Sequence, residues 1–404
     1  FRMTRTPIKE SRPESGSGSF DPSDSPDIPP EPDAGRLVSA RFPRTARPSF
    51  LLLAGFALWL ASLPAAAQNV SADSAAADSS SAGPANGEAA FLDAVRSDTY
   101  RVTGLLQLLG NVADARDPVH TPQAFKLAHA RLGLRTQLDS PFNAVFQFNF
   151  ASEPNLLDAY LIWRPSGELQ VRAGSFKPVQ NLDLALSPGQ ADFIGRNITS
   201  THVIANREIG IAASWRRGWL GAHGALVNGD RTSTTPDNRY LAIGRLEVDR
   251  RAEPGAGPSK RFRAGVFGNS GLSRSTPLGI SKRIVAKGRR RVVGADARVE
   301  VGPWMVAGEW MQGDVQTSPG VRTGVKGGYA SAGWSPDART QVLGRYQSPQ
   351  TQSGPPALDE RQATLALKRS VSSLAAVWVN GSAWLDGAGK VEELGLSVNL
   401  QVMF

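Results

Sequence analysis

The sequence predicts an all-β protein: a transmembrane, antiparallel up-and-down β-barrel of about 16 strands, with short turns on one rim and longer loops on the other. Three observations predict it. After Tyr100 the chain becomes a succession of alternating apolar and polar segments of about ten residues, separated by Gly, Pro, Ser and Asp clusters. The connections between these segments alternate short and long. The chain closes on EELGLSVNLQVMF, in which Leu394, Leu396, Val398, Leu400, Val402 and Phe404 share one face of an extended strand and Gly395, Ser397, Asn399 and Gln401 fall mostly on the other.

The front of the chain carries an address. Residues 1–48 are rich in Pro, Ser, Asp and Arg and poor in apolar side chains, so they are expected to be disordered or not translated. Met3 as a start leaves an implausibly long leader, and a start near Val38 on an alternative codon is expected instead. Residues 49–67 read as the hydrophobic region and cleavage site of a signal peptide. Arg41, Arg44 and Arg47 precede an apolar run from Phe50 to Leu63, and Ala65, Ala66 and Ala67 precede Gln68. Residues 68–99 are an Ala/Ser-rich tether with a short helix expected around Glu88 to Val95, and residues 100–404 form the barrel.

The formal net charge is +9 and the chain has no cysteine, which excludes disulfides, thiolate metal sites and lipidation at a mature cysteine. Beyond the leader no apolar run approaches the roughly 18 residues of a spanning helix, so a membrane crossing requires a closed barrel.

Tight connections are expected at 139–141, 165–168, 216–218, 302–303, 335–338 and 369–372. Longer ones are expected at 112–122, 151–155, 177–206, 229–238, 270–289, 313–323, 348–358 and 381–390, while 250–260 is too long for its place among the short turns. Even parity puts both termini on the short-turn, periplasmic rim. Trp163, Trp215, Trp304 and Trp334 lie within a few residues of short turns and are expected in an aromatic girdle at that interface; Trp219 has the opposite parity.

Residues 125–215 resemble the phosphate-selective porin O and P family. The matching segments are Arg131 to Arg135 (RLGLR), Asp158 to Tyr160 (DAY), Gly174 to Pro178 (GSFKP), Arg196 within the following loop, and Arg207 to Gly210 (REIG). The resemblance implies a sixteen-stranded porin, a homotrimer, an inward-folded third loop that narrows the pore, and passage of phosphate or other small anions. Separately, the terminal strand, with its apolar row and final Phe404, resembles the signal by which the outer-membrane assembly machinery accepts its barrels. The third loop carries Lys177, Arg196 and Arg207 beside Asp183 and Asp192, a sparse set for a phosphate ladder.

Parity places Arg131, Arg135, Arg172 and Arg298 in the lumen, with Arg263, Arg345 and Lys368 expected beside them and the acids Asp158, Asp296, Glu300 and Glu309 on the same face. From Pro254 to Ala295 there are ten Lys or Arg and no acid, including Lys282, Arg283, Lys287, Arg289, Arg290 and Arg291. At a pore mouth such a run concentrates anions; facing outward it meets lipopolysaccharide phosphates or water. Lys282, Arg283, Lys287 and Arg289 are therefore candidate anion-binding residues.

Catalysis is not expected. None of His120, His129, His202 and His223 has an identifiable nucleophile and orienting partner, GNSGLS around Ser270 lacks the nucleophile-elbow pattern, and no metal-ligand spacing or cofactor motif appears. An exported chain does not meet cytoplasmic nucleic acid, and no nucleic-acid motif is present. The competing readings are a general or organic-acid channel without phosphate selectivity, and a plugged, structural or adhesive barrel.

Overall fold

In a computed structural model of the chain, residues 91, 95–97, 99–114, 120–233, 238–252, 260–354 and 358–404 are described. The expected signal segment, and almost all of the expected leader and tether, lie outside the described residues.

Alternation produces the strands, because every second side chain points to the same face. In order they are β1 (Tyr100–Asp114), β2 (Ala124–Asp139), β3 (Phe142–Asn149), β4 (Asn155–Trp163), β5 (Leu169–Phe176), β6 (Glu208–Arg217), β7 (Leu220–Val227), β8 (Leu241–Arg251) and β9 (Lys260–Leu272). A two-stranded hairpin of β10 (Thr276–Pro277) and β11 (Val285–Ala286) follows. Then come β12 (Arg289–Val301), β13 (Trp304–Ser318), β14 (Val321–Trp334), β15 (Thr340–Gln347), β16 (Gln350–Ser353), β17 (Arg361–Ser370), β18 (Ala375–Leu385) and β19 (Val391–Met403). Between β5 and β6 lie two short helices, α1 (Leu182–Ala185) and α2 (Ile198–Val203).

Each long strand pairs antiparallel with its sequence neighbours, and β1 pairs with both β2 and β19, so the sheet closes on itself. β15 and β16 both pair with β14 and act as two parts of one interrupted strand. The barrel therefore has sixteen strands. At the seam Leu105 faces Met403, and the Gly104 and Phe404 backbones exchange hydrogen bonds of 3.0 and 3.2 Å. A Cβ on Gly104 would stand 2.2 Å from the Phe404 ring, so only glycine leaves room for that ring.

β13 shows the pattern at its clearest. Trp304, Val306 and Trp310 are exposed on the outer face, while Met305, Ala307, Glu309 and Met311 are buried on the inner one. Trp163, Trp215, Trp304 and Trp334 are all exposed at the short-turn rim, where Trp304 and Trp334 stack with centroids 6.1 Å apart and Trp163 stacks on Phe142 at 6.5 Å. Trp219 sits in the turn between β6 and β7 and is exposed there, so strand parity does not govern it.

Several expected boundaries shift. The expected long connection 313–323 is only residues 319–320, because β13 and β14 continue as a 15- and 14-residue pair. Residues 381–385 belong to β18, which shortens that loop to 386–390, and residues 350–353 of the expected 348–358 connection form β16. On β19 the outward Leu394, Leu400 and Val402 are exposed, but Leu396 and Val398, on the same face, are buried.

The barrel interior is not uniformly wet. Leu184, Val203 and Ile204 of the 177–207 loop pack with Leu278, Ile284 and Ala286 of the 273–288 loop, Leu358, and the inner faces of β9 and β12 to β14 at Phe267, Val292, Met311, Val315 and Val325. This apolar core lies against the inner faces of β9 and β12 to β14, toward the long-loop rim. Among the described residues no helix is long and apolar enough to cross a membrane.

Candidate functional site: the cationic constriction

The third loop is pinned inside the barrel by side chains rising from the opposite wall. One Glu309 oxygen accepts from Asn181 Nδ2 at 2.8 Å, Asn197 Nδ2 at 2.8 Å and Ser200 Oγ at 2.7 Å. Asp296 accepts from the Leu182 backbone at 3.0 Å and is forked by Arg245, whose Nη1 and Nη2 stand 2.6 and 2.8 Å from its two oxygens. Arg245 also donates to Glu247 at 3.0 Å and to the Gln180 carbonyl at 2.8 Å. The Arg245 and Asp296 side chains are 2 % and 1 % exposed, so the pair is fully desolvated, and its fork geometry satisfies both partners. Arg298 pairs with Asp192 of the loop and with Glu300.

The fifth long loop, residues 273–288 between β9 and β12, also grips the third. Ile280 and Ser281 donate backbone hydrogen bonds of 2.8 and 2.9 Å to the Thr201 carbonyl, and Ser281 Oγ lies 2.6 Å from His202 Nδ1. Gly279 adopts φ +59° where a Cβ would lie 2.0 Å from the Thr201 oxygen, so both its conformation and its closeness to the third loop require glycine. Burial holds the His202 imidazole below its usual range; Glu360 at 4.0 Å opposes that shift and Arg283 adds to it.

These contacts press the loop toward one side and leave the open space along the inner faces of β1 to β5. A cavity of about 660 Å³ is lined by Arg101, Arg131, Gln147, Asp158, Tyr160, Arg172, Lys177 and Arg207 and reaches the short-turn rim at Ser373 and Met403. A second, of about 250 Å³, is lined by Gln107, His129, Arg131, Lys177, Arg196, Arg207, Trp378 and Asn399, with Ile280 of the fifth loop. The residues lining both are Arg131, Lys177 and Arg207, which therefore stand between the two spaces.

The local geometry sets the charge at this junction. Arg207 forks onto Asp158 through Nε at 2.9 Å and Nη2 at 3.0 Å and reaches Gln147 at 3.3 Å. Arg131 lies 3.3 Å from His129 Nδ1. Lys177 donates to the Leu186 carbonyl at 3.1 Å, and its ammonium is pushed down to about 7, first by burial and then by Arg196, Arg207 and Arg131. Arg196 braces the loop by donating to the carbonyls of Asp183 and Leu186, the latter at 2.7 Å.

The sequence-derived candidates separate into groups. Arg131, Lys177 and Arg207 come together at the junction; Arg196 borders the smaller cavity, and Arg172 borders the larger, 3.5 Å from Ser214 and 5.9 Å from the Phe176 ring centroid. Arg135 lies on the inner row nearer the short-turn rim, exposed, and lines neither cavity. Arg298 is engaged by two carboxylates and holds the loop in place of an anion.

The basic fifth-loop run does not line these cavities either. Lys282 and Arg283 are exposed, and Arg283 is paired with Glu360. Arg289 is corrected to the outer face, because Val292 is fully buried inside and Val293 is exposed outside, which makes odd positions of β12 outward. Lys287 is exposed just before that strand. Arg290, on the inward parity, is buried and donates to the Gly229 carbonyl at 2.7 Å.

Residue-pattern reasoning missed Arg245 and the third-loop amides Asn181 and Asn197. The readable signal was the inward row Leu241, Ile243, Arg245, Glu247, in which two apolar residues precede the charged pair and disguise the lumen face. Among the described residues no group of three metal-ligating side chains occurs.

No protein-family model and no curated protein matches the chain. Solved structures do. An anion-selective porin from Comamonas acidovorans superposes with a TM-score of 0.57 at 14 % identity, covering 76 % of this chain and 99 % of its own. A loop L8 deletion mutant of OmpT, an outer membrane protein of Vibrio cholerae, gives 0.55 at 11 % identity over the same shares, 76 % and 99 %. In-vitro folded OmpT in its trimer form gives 0.51 at 10 % identity, again over 76 % and 99 %. At these identities the likeness is one of fold, and the described barrel has the fold of the outer-membrane porins.

Proposed function

We propose that the chain is an outer-membrane porin through which small anionic solutes diffuse passively, exported by a cleaved signal peptide and assembled as a homotrimer. The observation that carries the reading is that the two cavities flanking the third loop share three lining residues, all of them basic. An anion passing between the cavities meets Arg131, Lys177 and Arg207 together, and a narrow low-dielectric passage amplifies their field. Arg207 is already forked by Asp158, so the site attracts anions without the multiple free donors that hold phosphate tightly. That favours a general filter for small anions, organic acids included, over a phosphate-specific one, since conduction requires weak binding. Outer-membrane lipid, lipopolysaccharide and the assembly machinery that accepts the terminal strand are its remaining proposed partners.

Planar-bilayer recording tests this. In a salt gradient the reversal potential is expected to show anion preference, and Arg131→Glu is expected to weaken or invert it. Cation preference in the parent protein rejects the selectivity, and absence of conductance rejects the channel.

A further inference from the structure

A hydrogen-bonded row of side chains near the short-turn rim has no part in the filter. On the inner faces of β6 and β7, Ser214 and His223 stand directly opposite each other, and Glu247 of β8 pairs with Gly221, one inward position from His223. Ser214 Oγ lies 2.9 Å from His223 Nδ1, and His223 Nε2 lies 3.2 Å from Glu247 Oε1. A carboxylate only accepts, so Nε2 carries the hydrogen and Nδ1 turns its lone pair to the serine hydroxyl. The row is invisible in the sequence because its members come from three strands.

Its surroundings suit a nucleophile, a base and an orienting group. Exposure falls along the row: Ser214 is half-buried, the His223 side chain is 13 % exposed and Glu247 is 5 % exposed. Glu247 is fixed in place, accepting from Arg245 Nε at 3.0 Å and from Arg216 Nη2 at 2.5 Å. Gly221 leaves room for it, since a Cβ there would stand 3.0 Å from Glu247 Cγ. Two guanidiniums share the carboxylate with His223, so Glu247 orients the imidazole more than it balances its charge. Arg172 of β5 places Nη2 3.5 Å from Ser214 Oγ, where a guanidinium stabilises an alkoxide or an oxyanion. Arg172 also borders the 660 Å³ cavity together with Arg131 and Arg207, so an anion held there and the serine share one guanidinium.

We propose that Ser214, His223 and Glu247 form a hydrolytic site that cleaves esters of small anionic solutes within the barrel. Ser214 Oγ attacks the ester carbonyl carbon and its proton passes to His223 Nδ1. The bond to the leaving alcohol oxygen breaks, and His223 returns the proton to that oxygen. Water then attacks the acyl-serine with His223 as base, the bond to Oγ breaks, the proton returns to Oγ and the carboxylic acid departs; the sum is ester plus water to acid plus alcohol. Ser214 and His223 are the catalytic residues, Arg172 meets the oxyanion, and Glu247 is a positioning residue.

The test treats detergent-solubilised protein with a fluorophosphonate probe, which phosphonylates an activated serine with loss of fluoride, and locates the label by peptide mass spectrometry. Heat-modifiable electrophoretic migration checks that each variant is a folded barrel. The parent is expected to be labelled at Ser214, Ser214→Ala to lose that label, and His223→Gln to react about a hundredfold more slowly. Mono-4-nitrophenyl succinate, which carries a carboxylate, is expected to be hydrolysed with a higher kcat/KM than the neutral 4-nitrophenyl butyrate, and Ser214→Ala to abolish the turnover. Glu247→Gln is expected to lower kcat about tenfold with KM unchanged, as a group that orients the base without meeting substrate requires. A folded parent without label at Ser214 overturns the inference, as does a folded His223→Gln that reacts at the parent's rate; equal kcat/KM for the two esters overturns the substrate class. Should His223→Gln not fold, the parent and Ser214→Ala decide the matter by themselves. Neither readout needs conduction, so a silent bilayer would reject the channel and leave this result standing.

Discussion

Replacing Glu309 by alanine is the sharpest probe of what fixes the aperture. One carboxyl oxygen of this buried side chain accepts three hydrogen bonds from the third loop, at 2.7, 2.8 and 2.8 Å. Each such bond contributes about 1.5 kcal/mol net, and three that share one acceptor sum to about 4 kcal/mol at most. Since each 1.4 kcal/mol is a factor of ten, Glu309→Ala shifts the balance between docked and undocked loop by up to about a thousandfold. The fifth-loop clasp and the Asp192–Arg298 pair remain, so the barrel still folds while the loop gains a second position. Single-channel recording is expected to show a larger mean conductance with frequent discrete steps, and Glu309→Gln, which keeps an acceptor oxygen, a smaller change. A conductance and noise spectrum identical to the parent in Glu309→Ala would show that the loop is held by other contacts and would refute the reasoning.

Two further outcomes follow from the site. Because the Lys177 ammonium is pushed down to about 7, it is charged below that pH and neutral above it, so anion preference is expected to fall as pH rises from 6 to 8.5; Lys177→Met is expected to give a flatter, lower profile, and an unchanged profile in that variant removes Lys177 from the filter. Exchanging Lys282, Lys287 and Arg289 together for glutamate is expected to leave the reversal potential nearly unaltered, because none of them lines the two cavities; a large shift would return the fifth loop to the pore mouth.

Much of this architecture was legible in the residues because a barrel wall between lipid and water enforces alternation. Trp304, Val306 and Trp310 against Met305, Ala307 and Glu309 can be read without coordinates, and so can the third loop, whose length stands out between two short strands. Arg131, Lys177 and Arg207 were likewise visible, though their convergence was not, since it depends on how the loop folds across the lumen. The outward place of Arg289 follows from the same parity that puts Asp296, Arg298 and Glu300 inward on one unbroken strand; it is hidden because residue 289 reads as the end of a loop and not as part of β12. The sixth connection was misjudged for a related reason: Gly313 and Asp314 read as a break, yet they continue a strand that extends well beyond the apolar band.

The apolar packing between the third and fifth loops separates two properties that strand number alone would couple. Sixteen strands fix the circumference, but loop side chains pack against one flank of the enclosed space, so the bore is eccentric and is set by them. Permeability is then free to drift through substitutions in two loops while the hydrogen-bonded shell stays untouched. Any opening motion has to hinge on the hollow flank beside β1 to β5, because the filled flank acts as a rigid buttress.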